Sequence, residues 1–207
     1  MTPVIREHAA SASAPMSTLI AVLSKPRVAF VAVLVMLMLV ATIELGMGRE
    51  PMCTCGFISL WHGPVDSQNS QQISDWYTFT HVLHGIGFYG LMFLVARRLP
   101  VPVRLLIALL LEGAWEVAEN SPIIIDRYRT ATVSLDYYGD SIVNSVSDVI
   151  AMMLGFWAAL RLPVWCTVVF AVAVEIGLAI VIRDNLTLNI IMLIHPIDAI
   201  KLWQLGA

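Results

Sequence analysis

Three glutamates recur at helical spacing in a stretch of sequence that is otherwise apolar. Glu112, Glu116 and Glu119 fall at positions i, i+4 and i+7, so they share one face of a predicted helix. Ionisable side chains in an apolar membrane segment are costly, and they usually face a protein interior or a water-filled cavity. The spacing therefore predicts a polar site between helices. Its candidates for acid–base catalysis are Glu116, Glu112 and Asp148.

The segments on either side of the glutamates carry polar residues with a similar period. Asp140, Asn144 and Asp148 share a helical face farther along the chain, and His81 and His84 share one before the glutamates. Consecutive helices joined by short connections are usually neighbours. The three polar faces are therefore predicted to converge.

The sequence leaves three uses of these groups open. Histidines and carboxylates form divalent metal sites in helix bundles, and the ligands here would be His81, His84, Glu116 and Asp148. A carboxyl group beside a histidine could instead transfer protons. The acids could also pair statically and brace the helices. The histidines lack the spacing of a zinc-binding signature, so the pattern suggests a metal site without distinguishing it from the other two uses.

Two arginines after the glutamates predict an anionic ligand. The planar guanidinium groups of Arg127 and Arg129 suit phosphate or carboxylate groups. We predict that a small-molecule or lipid-linked ligand contacts them. Asn144, Asp140 and Glu119 are further ligand-binding candidates.

The pair Cys53-x-Cys55 is a second candidate site. Its sulfurs, flanked by Met52 and His62, are soft donors that could bind Cu(I). They could equally form a labile disulfide in an oxidising compartment, or remain a structural bridge or two loop thiols. Three cysteines in all are too few for a disulfide scaffold, and Cys166 is predicted to serve packing.

The composition predicts a membrane protein. Of the 207 residues, 58% are hydrophobic and 13% are charged, and the mean hydropathy is +0.80. Soluble domains carry about 25% charged residues. The net charge of −3 is spread along the chain. No basic patch indicates nucleic acid, and the lipid bilayer is the expected partner.

The apolar runs predict an all-α fold, a polytopic transmembrane helix bundle of five or six spans. A disordered cytoplasmic lead, residues 1–27, would precede a single transmembrane domain, residues 28–207. The segment 186–205 is predicted to be a broken span or an interfacial helix, because His195-Pro196 interrupts it. The other predicted spans are residues 28–47, 76–96, 104–121, 140–160 and 164–182.

Four further predictions concern single residues or segments. Residues 122–139 are predicted to be a loop, and Asp140 is predicted to cap or open the helix that follows. Glu44, near the outer end of the first span, is predicted to reach the membrane interface. Glu175, in the middle of a span, is predicted to join the polar interior or to pair helices.

Basic residues near the predicted span ends are more numerous on one side of the membrane. The richer side carries Arg6, Lys25, Arg27, Arg97, Arg98, Arg104 and Arg161. The poorer side carries Arg49, Arg127, Arg129 and Arg183. This bias places the N-terminus in the cytoplasm and the polar site near the opposite, periplasmic face.

Long stretches of this sequence resemble a known family. Segments 72–90, 112–129, 134–148 and 183–204 are similar to uncharacterised protein family 0314, also called domain of unknown function 2585. The resemblance extends over residues 28–205. It implies a multi-pass protein of the bacterial cytoplasmic (inner) membrane, and it implies no substrate, cofactor or catalytic residue.

A weaker similarity is to the VanZ-like membrane proteins. This sequence departs from the VanZ-like pattern at two points. Asp75 and His81 are six residues apart, which is wider than in that pattern, and Met152 stands where asparagine is expected. The similarity implies a helical fold and a link to the cell envelope. The corresponding positions are Asp75, His81, Glu116, Arg127 or Arg129, Asp140, Asn144 and Gly155.

Three classes of function follow. The first is a membrane protein whose polar cavity opens toward the periplasm and binds a metal ion or a lipid-linked or anionic ligand. The second is a proton-coupled transporter, which is favoured if the broken tail lines the same cavity and Glu175 joins it. The third is a non-catalytic envelope or assembly factor.

Overall fold

The computed structural model describes residues 15–206, and within them the chain is helical and contains no strand. The predicted all-α bundle is confirmed. The helices are α1 (15–23), α2 (Pro26–Gly46), α3 (Thr78–Val95), α4 (Val101–Glu119), α5 (Pro122–Ala131), α6 (Ile142–Arg161), α7 (Val164–Val181), α8 (Leu186–Ile194) and α9 (Asp198–Leu205).

Four of these helices, α2, α3, α6 and α7, are long and apolar enough to cross a membrane. Helix α4 has 19 residues but also carries one arginine and the three glutamates. Two of those glutamates, Glu112 and Glu116, are fully buried in the protein. These two carboxyl groups of α4 therefore lie inside the protein, where ionisable groups of membrane helices usually lie. The span predicted over residues 104–121 stays a prediction.

Helices α3 and α6 form the closest helix pair of the bundle. A Cβ atom placed on Gly85 of α3 would lie 1.9 Å from the carbonyl oxygen of Met152. One placed on Gly155 of α6 would lie 2.0 Å from the carbonyl oxygen of Val82. Small residues on both sides let the two backbones touch, a common device in membrane bundles. This contact fixes the polar face of α3 against that of α6.

An apolar core lies beside the polar site. Its buried members come from α4 and α6: Leu106, Ala108, Leu109, Val149, Met152 and Phe156. Residues of α2 and α3 pack against them. Dispersion and close packing therefore hold the helices together in this apolar core, and the acids lie in the adjacent polar site.

The N-terminal lead differs from the prediction. Residues 15–23 are helical rather than disordered, and residues 1–14 of the predicted lead lie outside the described part of the chain. This segment is helical because its apolar residues can pack on the bundle: Leu23 is partly buried and lies against the core. The long helix that follows begins at Pro26, whose ring is suited to the first helical position.

The predicted loop 122–139 contains a helix, so that prediction was wrong over α5. Ser121 caps α5 by accepting a hydrogen bond from the backbone N–H of Ile124, and Pro122 occupies its first turn. Asp140 is likewise not the cap of α6. Ser141 is the cap, and its hydroxyl accepts from the N–H of Asn144 at 3.2 Å.

The C-terminal segment is broken where the sequence predicted. Helix α8 ends at Ile194, directly before His195-Pro196, and α9 begins at Asp198. With 9 residues, α8 is about 14 Å long, which is half of a membrane's hydrocarbon core. Of the two alternatives predicted for Glu175, the structure agrees with helix pairing: its carboxylate, on α7, accepts from the N–H groups of Leu186 and Thr187 of α8 at 3.0 and 3.1 Å. It therefore stabilises the start of α8 and does not join the histidine cluster.

Asp184 ties this C-terminal segment to the rest of the protein. Its carboxylate accepts from the hydroxyl of Tyr77 at 3.1 Å and from the side-chain amide of Gln204 at 3.0 Å. Burial raises the pKa of Asp184 to about 6, although several hydrogen bonds oppose the shift. The folded protein therefore binds the Asp184 proton more tightly than the unfolded chain does.

We expect the Asp184 contribution to stability to be largest below about pH 4 and to be lost as the pH rises through about 6. The wild type should gain up to roughly 3 kcal/mol relative to Asp184→Asn between pH 7 and pH 4. Thermal unfolding of both proteins across this range measures the difference. A difference that is constant with pH, or that shrinks on acidification, would contradict the assignment.

Candidate functional site

His81, His84 and Glu112 form the centre of the polar site. The Glu112 carboxylate lies 2.7 Å from Nδ1 of His81, and 3.0 and 3.2 Å from Nδ1 of His84. One donor atom from each residue lies within 4.8 Å of the others. The two imidazole rings lie one turn apart on α3 and meet edge to face at 5.1 Å. The three side chains can therefore direct donor atoms at a single point.

Two more acids complete the surroundings of His81. Glu116, one turn beyond Glu112 on α4, lies 3.3 Å from Nδ1 of His81. Asp148 of α6 lies 3.8 Å from Nε2 of the same ring. Both oxygens of Glu116 and Oδ1 of Asp148 are buried without a hydrogen-bond partner among the described residues. The convergence of the three polar faces is thus observed.

No lysine or arginine neutralises these acids. Within residues 15–206, every side-chain ion pair at 4.0 Å or less has a histidine as its basic partner. Histidine is charged only when it is protonated, and unpaired buried carboxylates are costly. The cluster therefore has a deficit of positive charge that a proton or a cation would remove.

A second buried network lies beside the first, around Asn120. Its side-chain N–H groups face Asp140 at 2.9 Å, Ser145 at 3.3 Å and Glu44 at 3.5 Å. Its carbonyl oxygen accepts from the N–H of Asp140 at 2.7 Å. Glu44 is fully buried, so its predicted place at the membrane interface was wrong. The neutral amide of Asn120 separates two acids that would otherwise repel each other.

Asp140 and Asp75 lie just outside the spanning helices, and burial raises the pKa of both. For Asp140, hydrogen bonds from Tyr137 and Asn120 oppose this effect. Asp75 accepts from the N–H groups of Ser70 and Tyr77 at 2.6 and 2.8 Å. These contacts shape the turn that leads into α3, so Asp75 acts by positioning that helix.

A cavity of about 480 Å³ opens beside the histidines. His81, His84 and Asp148 line one part of it, and Glu119 and Asp140 line another. The apolar part of its wall includes Phe88, Trp115, Leu186, Ile190 and Leu193. The cavity therefore combines an acidic lining with an apolar wall partly supplied by α8, and no arginine or lysine is among its lining residues.

The predicted ligand-binding residues are distributed over several places. Glu119 lines the cavity and accepts from the hydroxyl of Tyr128 at 2.7 Å. Asn144 is buried, and its amide donates to the carbonyl of Gln72 at 2.9 Å. Arg127 donates through Nε to the carbonyl of Leu193 at 2.8 Å. It is bound to α8 and does not line the cavity.

The sulfurs of Cys53 and Cys55 are joined in a disulfide. The amide of Gln72 donates to Sγ of Cys55 at 3.3 Å. Cys166 is the one free cysteine among the described residues, and it is partly buried. Of the alternatives that the sequence left open for the Cys53–Cys55 pair, the structure shows the bridge. A bridged pair offers no thiolate to a metal ion.

Several buried polar residues were not identified from the sequence. The main ones are Gln71, Gln72, Asn120, Ser145 and Asp184. Asn120 carried a usable signal, because it follows Glu116 by four residues and so continues the glutamate face. The glutamines lie in an aperiodic loop, and no pattern there predicts burial.

The sequence matches, over residues 44–206, a family model described as "Protein of unknown function (DUF2585)". Three bacterial relatives, each called a UPF0314 protein, match over most of their length. The relative from Rhizobium etli (strain CFN 42) is 57% identical over 178 residues, which are 86% of this chain and 91% of the relative. The relative from Sphingopyxis alaskensis is 54% identical over 169 residues, 81% of this chain and 90% of the relative. The relative from Paracoccus denitrificans is 52% identical over 174 residues, 84% and 90% of the two chains. No solved structure matches the chain.

Proposed function

We propose that this chain, which belongs to the DUF2585 (UPF0314) family, binds a divalent metal ion between its membrane helices through His81, His84 and Glu112. The observation that carries the proposal is the meeting of these three donor groups beside Glu116 and Asp148, whose carboxylates have buried oxygens without a hydrogen-bond partner among the described residues. Such a set, with nitrogen and carboxylate donors and no thiolate, suits Zn²⁺, Fe²⁺ or Mn²⁺.

The distances support this fit. Ligand atoms about 2.1 Å from a tetrahedral ion are about 3.4 Å from one another. The nitrogen–oxygen distances of 2.7 to 3.2 Å in the cluster need to widen by only a few tenths of an ångström on average. Glu116 and Asp148 would then compensate the charge around the ion. The proposed ligand set thus differs from the sequence prediction in its acids: Glu112 takes the place of Glu116, and both Glu116 and Asp148 would lie beside the ion.

The cavity supports a ligand beside the metal ion. Because three protein ligands leave a coordination position open, a small-molecule or lipid-linked ligand could meet the ion there. Its apolar wall suits a hydrocarbon group, and its volume of about 480 Å³ is within the range of small-molecule pockets. With the N-terminus in the cytoplasm of a bacterial inner membrane, this cavity would open toward the periplasm.

Elemental analysis of the protein purified in mild detergent tests the proposal. We expect close to one ion per chain in the wild type and less than about a tenth of that in Glu112→Gln, because a neutral amide is a poor ligand. Glu119→Gln is the matched control. It removes a glutamate from the same face of α4, but one that contacts Tyr128 and no histidine, so it should keep the metal.

Other outcomes would overturn the proposal. Metal lost from Cys53→Ser/Cys55→Ser and kept in Glu112→Gln would move the site to the outer loop. Equal losses in Glu112→Gln and Glu119→Gln would indicate a general loss of structure. A wild type without metal, even after exposure to Zn²⁺, Fe²⁺ and Mn²⁺, would leave proton transfer, as in a proton-coupled transporter, or static bracing.

A further inference from the structure

A second cavity, of about 510 Å³, is lined by Asp140 but by neither histidine of the cluster. Asp140 lines both cavities. The second cavity is bounded by the loop after α2 and by α5, and it is lined by Arg49 and Arg129. It therefore differs from the first in carrying two guanidinium groups.

Both arginines are held by the backbone just before α6. Nη1 of Arg49 donates to the carbonyl of Tyr138, and Nε of Arg129 donates to the carbonyl of Tyr137, each at 2.5 Å. These carbonyls belong to consecutive residues, so one short backbone segment holds both guanidinium groups at the same cavity. Preorganised guanidinium pairs are effective binders of planar or tetrahedral anions.

Gly139 makes room for the guanidinium group of Arg49. Its φ of +96° belongs to the left-handed region that favours glycine. A Cβ atom there would lie 2.1 Å from Nη1 of Arg49. The backbone is thus shaped to place this positive group at the cavity.

Neither arginine forms a close ion pair with a carboxylate of the described residues. Three acids, Glu50, Asp126 and Asp140, line the same cavity, yet within residues 15–206 no carboxylate oxygen lies within 4.0 Å of either guanidinium group. Nε of Arg49 is buried and has no acceptor there. A buried donor without a partner is costly. The cavity therefore offers two guanidinium groups that have no close counter-ion, one of them with an unused donor.

We propose that Arg49 and Arg129 bind a phosphate group in this second cavity, carried by a soluble phosphate or by a lipid headgroup. The site lies apart from the histidine cluster and does not depend on a metal ion there. It also revises the predicted anion site, because Arg129 belongs to it and Arg127 does not.

The test measures two ligands on the same purified protein. Inorganic phosphate is titrated calorimetrically into protein in phosphatidylcholine nanodiscs, and retention of phosphatidylglycerol is measured by native mass spectrometry in detergent. We expect Arg129→Gln and Arg49→Gln to weaken one of these at least about tenfold, because each removes charge-assisted hydrogen bonds. Phosphate binding would identify a soluble ligand, and lipid retention a headgroup.

Two variants keep the test decisive even where Arg49→Gln does not fold. Arg127→Gln is the control, since Arg127 also lies on α5 and also donates to a backbone carbonyl, but outside this cavity. It should bind as the wild type does. Asp126→Asn removes an exposed acid from the cavity wall and should tighten binding several-fold. No binding of either probe, or equal losses in Arg127→Gln and Arg129→Gln, would overturn the proposal.

Discussion

Gly85→Ala should destabilise the protein by at least roughly 3 kcal/mol, because the added methyl group has no space. Its carbon would lie 1.9 Å from the carbonyl oxygen of Met152 and 2.6 Å from the N–H nitrogen of Phe156. Backbone atoms of a packed helix cannot move aside cheaply. Helices α3 and α6 would have to separate, and His81 would be withdrawn from Asp148. Thermal unfolding in detergent should show a midpoint lower by about 10 °C.

Gly87→Ala is the matched control for this prediction. Gly87 lies on the same helix, two residues away, and a Cβ atom there meets nothing within 4 Å. Alanine is the better helix former by about 1 kcal/mol, so this variant should be unchanged or slightly more stable. If both variants unfold alike, the contact between α3 and α6 is not what limits stability.

Asn120→Asp should be the most damaging isosteric change in the polar network. The new carboxylate would face those of Glu44 and Asp140, which now share the amide N–H groups of Asn120. Removing one partner from a buried charged network costs about 3 to 5 kcal/mol. The loss should be larger at alkaline pH than in acid, because protonation of these buried carboxyl groups removes the repulsion. Unfolding midpoints at both pH values measure it.

The same substitution at Asn69 is the control. Asn69 lies in the half-exposed loop before α3, and its oxygen accepts one weak bond from the N–H of Asp66 at 3.4 Å. Repulsion between exposed acids is screened, so Asn69→Asp should cost less than about 1 kcal/mol. An Asn120→Asp protein as stable as Asn69→Asp, at every pH, would show that Glu44 and Asp140 are not charged together.

The apolar helices could be predicted from the sequence because length and hydropathy determine them. Predicted span 140–160 corresponds to α6, Ile142–Arg161, and 164–182 to α7, Val164–Val181. Helix α5 was missed because its arginines and aspartate interrupt any apolar pattern. The pair Ser121-Pro122 was the available signal, since serine caps and proline opens helices.

The histidine and glutamate faces were predicted because both lie on single helices with a regular period. Their partners were harder to predict because they depend on how helices are rotated and spaced. Whether Glu112 or Glu116 faces both histidines is decided by a few ångströms of helix placement. Glu44 and Asn120 meet only because α2 and α4 pack together, across 76 residues of sequence. No periodicity in a single segment reports such a contact.

The most direct test of the proposed metal site is X-ray absorption spectroscopy of the metal-loaded protein. The spectrum reports the elements and distances around the ion itself, independently of how a substitution affects folding. We expect nitrogen and oxygen neighbours at about 2.0 to 2.2 Å, with the outer-shell scattering of two imidazole rings. That scattering should fall to one ring in His84→Ala. A shell of sulfur neighbours, or a spectrum unchanged in His84→Ala, would contradict the assignment of the ion to His81, His84 and Glu112.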